Sequence, residues 1–505
     1  MGFPLLTVLA LVPLVGALLV MVARDNGARV VGLIASLVAL GLAVVLAVQY
    51  QPDGGMQFVE QVSWVEQIGL HYALGVDGIG LTMVVLTAIL VPVVLIASWD
   101  DADYLGEGRW TSKSFFALVL VMQSFSFFVF MATDVLLFYL FFEATLIPMY
   151  FLIGGFGGVK RSAAAIKFLL FSLAGGLVLL VSVVGLYGVS SQAGTPSYLL
   201  SDLAALNIDG EVGRWLFIGF MVAFAIKAPM VPVHTWLPDA AAESTPGGAA
   251  LMVGVLDKIG TFGMLRFCLG LFPEASAWAT PVVLVLALIS IVYGGIAAIG
   301  SKDLYRLIAF TSISHFGFIV MGIFAFTSQS MAGSVLYMFN HGLSTTALFL
   351  VIGYLVARRG SREMSAYGGV QKVAPVLAGL TLLAGLSSLA LPGLAPFVSE
   401  FWVISGTFSR YPVVGAISVI GVVLAALYIL IMYQRTMTGP VKPEVADFED
   451  LSGREKGALV PLVVLILVLG FFPKPALDVI NPAVATTMEQ VGVVDPVAPN
   501  GQEQP

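Results

Sequence analysis

Four charged side chains lie deep inside long apolar stretches of this 505-residue sequence: Glu143, Lys227, Lys258 and Glu400. Each charge costs roughly 2.5–3.5 kcal/mol at the centre of a membrane helix, so four unpaired charges would cost on the order of 10 kcal/mol. Such groups must pair, hydrate or lose their charge. Carboxylates and amines in this situation are suited to reversible proton transfer, and Glu143 with Lys227 is the natural pair.

Histidines add groups that titrate near neutral pH. Three of the four in the chain, His234, His315 and His341, also fall within apolar stretches, and His234 follows Lys227 by seven residues. Together with the four charges, they predict a path for protons through a membrane. The alternative is that these polar side chains only hold helices together through hydrogen bonds.

The composition excludes a water-soluble globular protein, because 59% of the residues are hydrophobic, 10% are charged and the mean hydropathy is +1.00. A helix crosses roughly 30 Å of hydrocarbon with about 20 apolar residues. Stretches of this length predict an all-α polytopic membrane protein with fourteen spans near 4–22, 29–49, 79–98, 113–131, 134–154, 163–188, 214–235, 247–270, 279–298, 305–326, 330–356, 373–408, 412–436 and 456–473.

Prolines interrupt two of these spans near the middle. The seventh contains Pro229 and Pro232, and the twelfth contains Pro392 and Pro396. Proline removes a backbone hydrogen bond, and the freed carbonyl is tolerated at membrane depth only where protein or a water-filled cavity satisfies it. Paired broken helices indicate a transporter-like inverted repeat with its site near the midplane.

The basic residues predict how the chain is oriented. With an outer N-terminus, seventeen Lys and Arg residues fall on inner loops and three, Arg214, Arg410 and Lys474, on the outer side. This asymmetry follows the positive-inside bias, and an even number of spans also places the C-terminus outside. No basic region precedes the first apolar run, so we do not expect a signal peptide.

Two outer segments carry weaker signals. The stretch "FVEQVSWVEQIGLHY" partly alternates and is followed by "GVDGIG", which favours a short β-hairpin, although an ordinary loop fits equally well. The polar and proline-rich tail after Pro475 is typical of a frayed end.

Several cofactor classes are not expected. A single cysteine, Cys268, allows no internal disulfide and no iron–sulfur cluster ligated by this chain alone. The sequence has no glycine fingerprint for a dinucleotide, and its histidines lack a haem or metal spacing. The net charge of −7 carries no indication of nucleic-acid binding. We therefore expect no cofactor or metal in this chain.

Four motifs carry a family resemblance. The stretches "KAPMVPVHTWLPDAAAES", "LMVGVLDKIGTFGMLRF", "GVDGIG" and "SKDLYRLIAFTSISHFGFI" resemble the antiporter-like subunits of respiratory complex I and of the related Mrp cation/proton antiporters, and the resemblance covers nearly the whole chain. The length near 500 residues and Glu400 resemble the M-type branch, which is subunit 4 in mitochondria, more than the L- and N-type branches or the Mrp proteins.

The resemblance implies a proton-pumping module with two inverted five-helix repeats, residues 113–270 (spans 4–8) and 279–436 (spans 9–13). Residues 1–98 would form spans 1–3 with an outer loop at 50–78, and residues 437–505 an inner loop, span 14 and an outer tail. The implied setting is a bacterial plasma membrane, with L- and N-type subunits as neighbours. NADH oxidation and quinone reduction would occur in other subunits.

The resemblance also implies roles for individual residues. Glu143 and Lys227 would form the ion pair of the input half-channel, and Lys258 would be the central proton carrier. His315 would relay the proton, and Glu400 would release it outward. His234 and His341 would support this polar axis. Asp257 stands beside Lys258 where relatives usually have an apolar residue, so its charge is expected to influence the proton affinity of Lys258.

Two other functions remain open on the sequence. A subunit of an Mrp-type sodium/proton antiporter would need several oxygen ligands converging near the midplane, and the sequence offers only scattered Ser, Thr and carboxylates. A structural membrane subunit would use its charges only to fix helix packing.

Overall fold

Helices follow the apolar stretches of the sequence closely. The computed structural model describes residues 3–101, 110–194 and 196–496. Within these ranges we number the helices α1 (Leu5–Val22), α2 (Asp25–Gln49), α3 (Gly78–Ala97), α4 (Ser112–Met131), α5 (Val135–Phe156), α6 (Arg161–Gln192), α7 (Leu200–Ala205), α8 (Gly210–Lys227), α9 (Trp236–Glu243), α10 (Pro246–Leu269), α11 (Pro273–Gly300), α12 (Leu304–Phe324), α13 (Ser328–Arg359), α14 (Pro375–Ser388), α15 (Ala395–Arg410), α16 (Pro412–Met437), α17 (Gly453–Phe471) and α18 (Lys474–Val491).

These helices make the chain a multi-pass membrane protein. Eleven helices of the described residues are long and apolar enough to span a membrane, or twelve if α17 and α18, which are bent by 71°, count as one span. Each of the fourteen predicted spans coincides with helix. The two spans that proline interrupts are divided into shorter helices, and the first turn of α17 is charged, so these three are not plain apolar spans. The number fourteen therefore stays a prediction.

Two helices form the centre of the bundle. In both α10 and α13 every residue of the apolar window is buried, whereas in α2 only 28% of the window is buried and the rest is left for lipid. Helix α13 packs against α3, α10, α12, α14, α15, α17 and α18. Polar side chains on α10 and α13 therefore face other helices rather than hydrocarbon.

The proline-containing spans are broken where the sequence predicts. Between α8 and α9 the chain is irregular, and the Trp236 indole donates to the freed Ile226 carbonyl at 2.9 Å. After the break between α14 and α15, the Asn340 amide donates to the Ala395 carbonyl in the first turn of α15 at 2.8 Å. Protein partners thus satisfy part of the unwound backbone, which is the condition for irregular structure at membrane depth.

The loop after α2 is a β-hairpin, which settles the choice that the sequence left open. Strand β1 (Gln57–Val65) pairs antiparallel with β2 (Leu70–Val76). Gly69 lies between them at a φ of 71°, and a Cβ there would be 2.2 Å from the Pro196 carbonyl oxygen. Only glycine fits this position, because the conformation is left-handed and the neighbouring backbone is so close.

The hairpin ties separate helices together at one end of the bundle. The Glu60 carboxylate accepts from the Leu6 backbone N–H at 2.8 Å in the first turn of α1. The His71 backbone N–H donates at 2.9 Å to Asp134, whose side chain also caps the start of α5. The hairpin is therefore a structural brace.

The segment after Pro475 contradicts the expected frayed end, because it forms α18. Leu477, Ile480, Val484 and Met488 recur at helical spacing and are buried, and the helix packs on α3 and α13. This apolar stripe buries enough surface to order the segment despite its polar residues. Residues from 497 onward lie outside the described part of the chain.

One half-buried ion pair couples the central helix to α17. The Arg358 guanidinium, near the end of α13, donates two bonds of 2.8 Å to the Glu455 carboxylate. Such a paired geometry is stronger than a single contact. We expect Arg358→Met to leave Glu455 unpaired and to lower stability by about 2 kcal/mol, measured as a lower thermal unfolding temperature in detergent.

The neighbouring variant Arg359→Met is the control. Among the described residues, the Arg359 guanidinium makes one hydrogen bond, a long one of 3.4 Å to the Ala366 carbonyl. Equal destabilisation by the two substitutions would show that the ion pair with Glu455 contributes nothing specific.

Candidate functional site

A row of buried hydrogen bonds joins three helices of the second half of the chain. The Tyr337 hydroxyl on α13 donates to Glu400 on α15 at 2.5 Å and lies 2.7 Å from His315 Nδ1 on α12. All three side chains are buried. A hydroxyl has one proton to donate, so Nδ1 of His315 is the donor to Tyr337 when Tyr337 donates to Glu400.

Lys258 connects to this row through a second histidine. Its Nζ lies 2.6 Å from His341 Nδ1 on α13 and 4.7 Å from the centre of the Phe316 ring. The His341 and His315 ring centres are 5.3 Å apart. The resemblance implies that His315 is the relay and His341 a supporting residue; in the structure His341 makes the contact with Lys258, and His315 lies one step further along.

A local distortion of α10 makes room for the Lys258 amine. Residues Met252–Leu256 form a π-helical turn, in which the Asp257 N–H donates to the Met252 carbonyl at 3.0 Å, five residues back. The Val253 carbonyl instead accepts from Lys258 Nζ at 2.7 Å. The wide turn therefore provides a backbone acceptor for a buried cation.

Asp257 is wholly buried beside Lys258 but not bonded to it. Neither carboxylate oxygen has a hydrogen-bond partner among the described residues. The carboxylate interacts electrostatically with both Lys258 and Lys227. Consecutive side chains on a helix point about 100° apart, which explains why the two neighbours do not pair.

Glu143 and Lys227 are near each other but not in direct contact. Lys227 Nζ has no hydrogen-bond partner and lies 5.1 Å from the centre of the Phe142 ring. Glu143 interacts electrostatically with Lys227, yet its Oε1 is also unbonded and points at α6, where a Cβ on Gly176 would lie 1.7 Å from it. The expected ion pair is therefore an interaction at a distance, with aromatic rings around the amine.

His234 lies apart from the Lys258 to Glu400 row. Helix α8 ends at Lys227, so the seven-residue spacing does not place the two side chains on one helical face. The His234 ring instead packs on Tyr293 of α11 at 4.9 Å between ring centres, and its Nδ1 has no hydrogen-bond partner. The structure gives it no contact with the other predicted site residues.

A cavity of about 630 Å³ lies between the start of α10 and the end of α13. Its lining is largely apolar, and Ser98, Asp101, Thr245, Tyr354 and Arg362 are among the polar residues that line it. Asp101 follows the end of α3, and burial raises its pKa to about 6. Through Thr245 the cavity reaches the residue that caps the first turn of α10.

Sequence reasoning missed Tyr337, although it links His315 to Glu400. The available signal was its spacing, four residues before His341 on the same helix, which places both on one face. Gly176 was missed as well, because only the folded chain shows that its bare backbone accommodates Glu143. In the part of the chain that the structure describes, no group of three or more His, Cys, Asp or Glu residues could hold a metal ion.

Known proteins of one family match this chain in sequence and in fold. Residues 132–427 match the family model described as "NADH:quinone oxidoreductase/Mrp antiporter, TM", and the chain belongs to that family of membrane subunits. Within the family, it is 49% identical to NADH-quinone oxidoreductase subunit M of Mycobacterium tuberculosis, over 98% of this chain and 95% of that one. The resemblance to the M-type branch is thereby confirmed.

Two solved structures agree with the family assignment. A chain of "Respiratory complex I from Thermus thermophilus with bound NADH" superposes with a TM-score of 0.88 at 32% identity, covering 97% of this chain and 100% of that one. A chain of the Mrp complex from Dietzia sp. DQ12-45-1b superposes with a TM-score of 0.85 at 22% identity, covering 97% and 100%. The second likeness shows the fold alone.

The Tyr337 hydroxyl gives a first test of the row. If the row conducts protons, Tyr337→Phe should lower proton translocation by the assembled complex by on the order of tenfold, because it deletes the atom between His315 and Glu400. The measurement is proton uptake by membrane vesicles during NADH oxidation. Tyr354→Phe on the same helix is the control, since the Tyr354 hydroxyl has no hydrogen-bond partner; similar losses in both variants would contradict a specific role for Tyr337.

Gly176 gives a second test, directed at Glu143. A methyl group at Gly176 collides with the Glu143 carboxylate, so Gly176→Ala should move that side chain and reduce proton translocation several-fold with assembly intact. Gly188→Ala on the same helix should have no effect, because nothing lies within 4 Å of a Cβ there. An unchanged rate in Gly176→Ala would show that the position of Glu143 is unimportant.

Proposed function

We propose that the chain is the M-type membrane-arm subunit of a NADH-quinone oxidoreductase and that it carries protons across the membrane. The observation that carries this proposal is the buried row that starts at Lys258 and continues through His341, His315 and Tyr337 to Glu400. Every member of this row can gain and lose a proton, and the row extends over α10, α12, α13 and α15. Intramembrane ionisable groups of this kind mark proton relays.

In the proposed sequence, Lys258 is the central carrier. It passes its proton to His341, which it already contacts, and the proton then crosses to His315, Tyr337 and Glu400 for release outward. The step between the two histidine rings needs a ring rotation or one bridging water, since their centres are 5.3 Å apart. Glu143 and Lys227 act before Lys258, and their charges influence the proton affinity of the Lys258 amine. His234 has a supporting role outside the row.

The energy and the partners come from other chains in this proposal. NADH oxidation and quinone reduction take place in neighbouring subunits, and this chain contributes no redox chemistry. Its direct neighbours are L- and N-type subunits of the membrane arm and the lipid bilayer. Purification in mild detergent followed by identification of the co-purifying subunits tests this partner set.

We further propose a bacterial plasma-membrane location with both termini outside and inverted repeats at 113–270 and 279–436. The half-buried pairs Arg29–Asp100 and Arg358–Glu455 collect at one face, as inner basic loops would. The two broken helices each carry one of the site residues, Lys227 at the end of α8 and Glu400 on α15. Labelling of single engineered cysteines from each side of the membrane tests the orientation.

An Mrp-type sodium/proton antiporter subunit is the second candidate, supported by the common fold. It predicts that transport depends on Na⁺ and that the chain co-purifies with other antiporter subunits. A purely structural subunit is the third candidate. It predicts that the buried charges affect assembly and stability but not proton movement.

Lys258→Met tests the proposal directly. Methionine is close to lysine in shape but has no amine, so assembly should be normal, while proton translocation and the coupled quinone reduction should fall by on the order of tenfold or more. The exposed Lys372→Met on a loop is the matched control and should behave as wild type. Full activity of an assembled Lys258→Met complex would rule out the proton-carrier function.

A further inference from the structure

Helix α10 presents two adjacent ionisable side chains to two different helices. Lys258 reaches α13, where its amine contacts His341 at 2.6 Å. Asp257 precedes it by one residue and therefore points about 100° away around the helix. The question is what this second, buried carboxylate faces.

Its direction follows from the packing of the glycines on the same side of α10. Gly260 is three residues beyond Asp257, on nearly the same face, and a Cβ there would lie 2.6 Å from the Ala228 backbone nitrogen. One turn further, a Cβ on Gly263 would lie 2.5 Å from the Phe224 ring. This face of α10 thus packs directly on the last turn of α8, which ends at Lys227.

The surroundings of Asp257 are unusual for a structural carboxylate. Both of its oxygens are buried and have no hydrogen-bond partner, although buried polar groups are almost always bonded. The charged groups that act on it are Lys227 from α8 and Lys258 from its own helix. A carboxyl group between two amines has a favourable partner on either side, whichever of the amines holds the proton.

We propose that Asp257 is the proton-transfer residue that links Lys227 to Lys258. The Lys227 ammonium gives its proton to the Asp257 carboxylate, which leaves a neutral amine and a carboxylic acid. The acid then gives that proton to the neutral Lys258 amine, which restores the carboxylate and forms an ammonium. One proton moves and total charge is conserved at each step; because neither Asp257 oxygen is hydrogen-bonded to an amine in the described structure, each transfer needs a side-chain rotation or one bridging water. This inference rests on the proposed function of Lys258 as the carrier.

The test uses Asp257→Asn and Asp257→Glu in the assembled complex. Asparagine keeps the shape but cannot carry the proton, so proton translocation should fall by on the order of tenfold at every pH. Glutamate keeps a carboxyl group and should retain a substantial fraction of the rate. The exposed Asp447→Asn should match wild type. The measurement is NADH-driven proton uptake by vesicles from pH 5.5 to 8.5 (a range of about three units), normalised to complex content.

Two outcomes would overturn the inference. One is a wild-type rate in Asp257→Asn. The other is a low rate in Asp257→Asn that returns to the wild-type rate at acidic pH. A carboxylate that served only as a counter-charge would keep the lysines protonated, and acid would have the same effect without it. If either result is found and the Lys258→Met complex is inactive, only the role of Asp257 is contradicted. If the Lys258→Met complex is active, the proposed function itself is contradicted.

Discussion

The burial of one amine, that of Lys258, is the constraint on which much of the structure depends. A single buried cation without partners costs several kcal/mol, so the fold must supply acceptors at that depth. It does so with the Val253 carbonyl, which a wide helical turn leaves available, and with His341 on the facing helix. The Phe316 ring covers a third side of the amine. The distortion of α10 is therefore part of the site.

The need for these partners explains why α13 occupies the centre of the molecule. One helix carries Tyr337, then Asn340 and His341 about one turn later, and Arg358 near its end. Tyr337 and His341 belong to the polar row, Asn340 holds the start of α15 after the second break, and Arg358 fastens α17. A lipid-facing helix could not carry this set, because each polar group would need a partner in hydrocarbon. The burial of the whole apolar window of α13 is consistent with the polar residues that the helix carries.

The sequence predicts the membrane class, the broken helices and most members of the row, because lysine, glutamate and histidine are rare in apolar stretches and so are conspicuous. It does not reveal Tyr337, since a tyrosine in a membrane helix needs no special explanation. Nor does it show that His341 precedes His315, because this order depends on how α10, α12 and α13 are rotated against each other. The separation of Glu143 from Lys227 likewise depends on the aromatic packing around the amine. Helix α18 escaped prediction because its short apolar stripe is interleaved with polar residues and proline.

The β-hairpin has a consequence for how the chain can move. It bonds to the first turn of α1 and to Asp134 at the start of α5, while α18 packs across α3 and α13. Rocking one group of helices against another, as in alternating-access carriers, would break these bonds. With the helices fastened in this way, access from one side of the membrane or the other depends on small events inside the bundle: rotamer changes, the wetting and drying of polar gaps, and the registry of charges on neighbouring helices. The helices thus keep their relative positions while side chains and water inside the bundle change state.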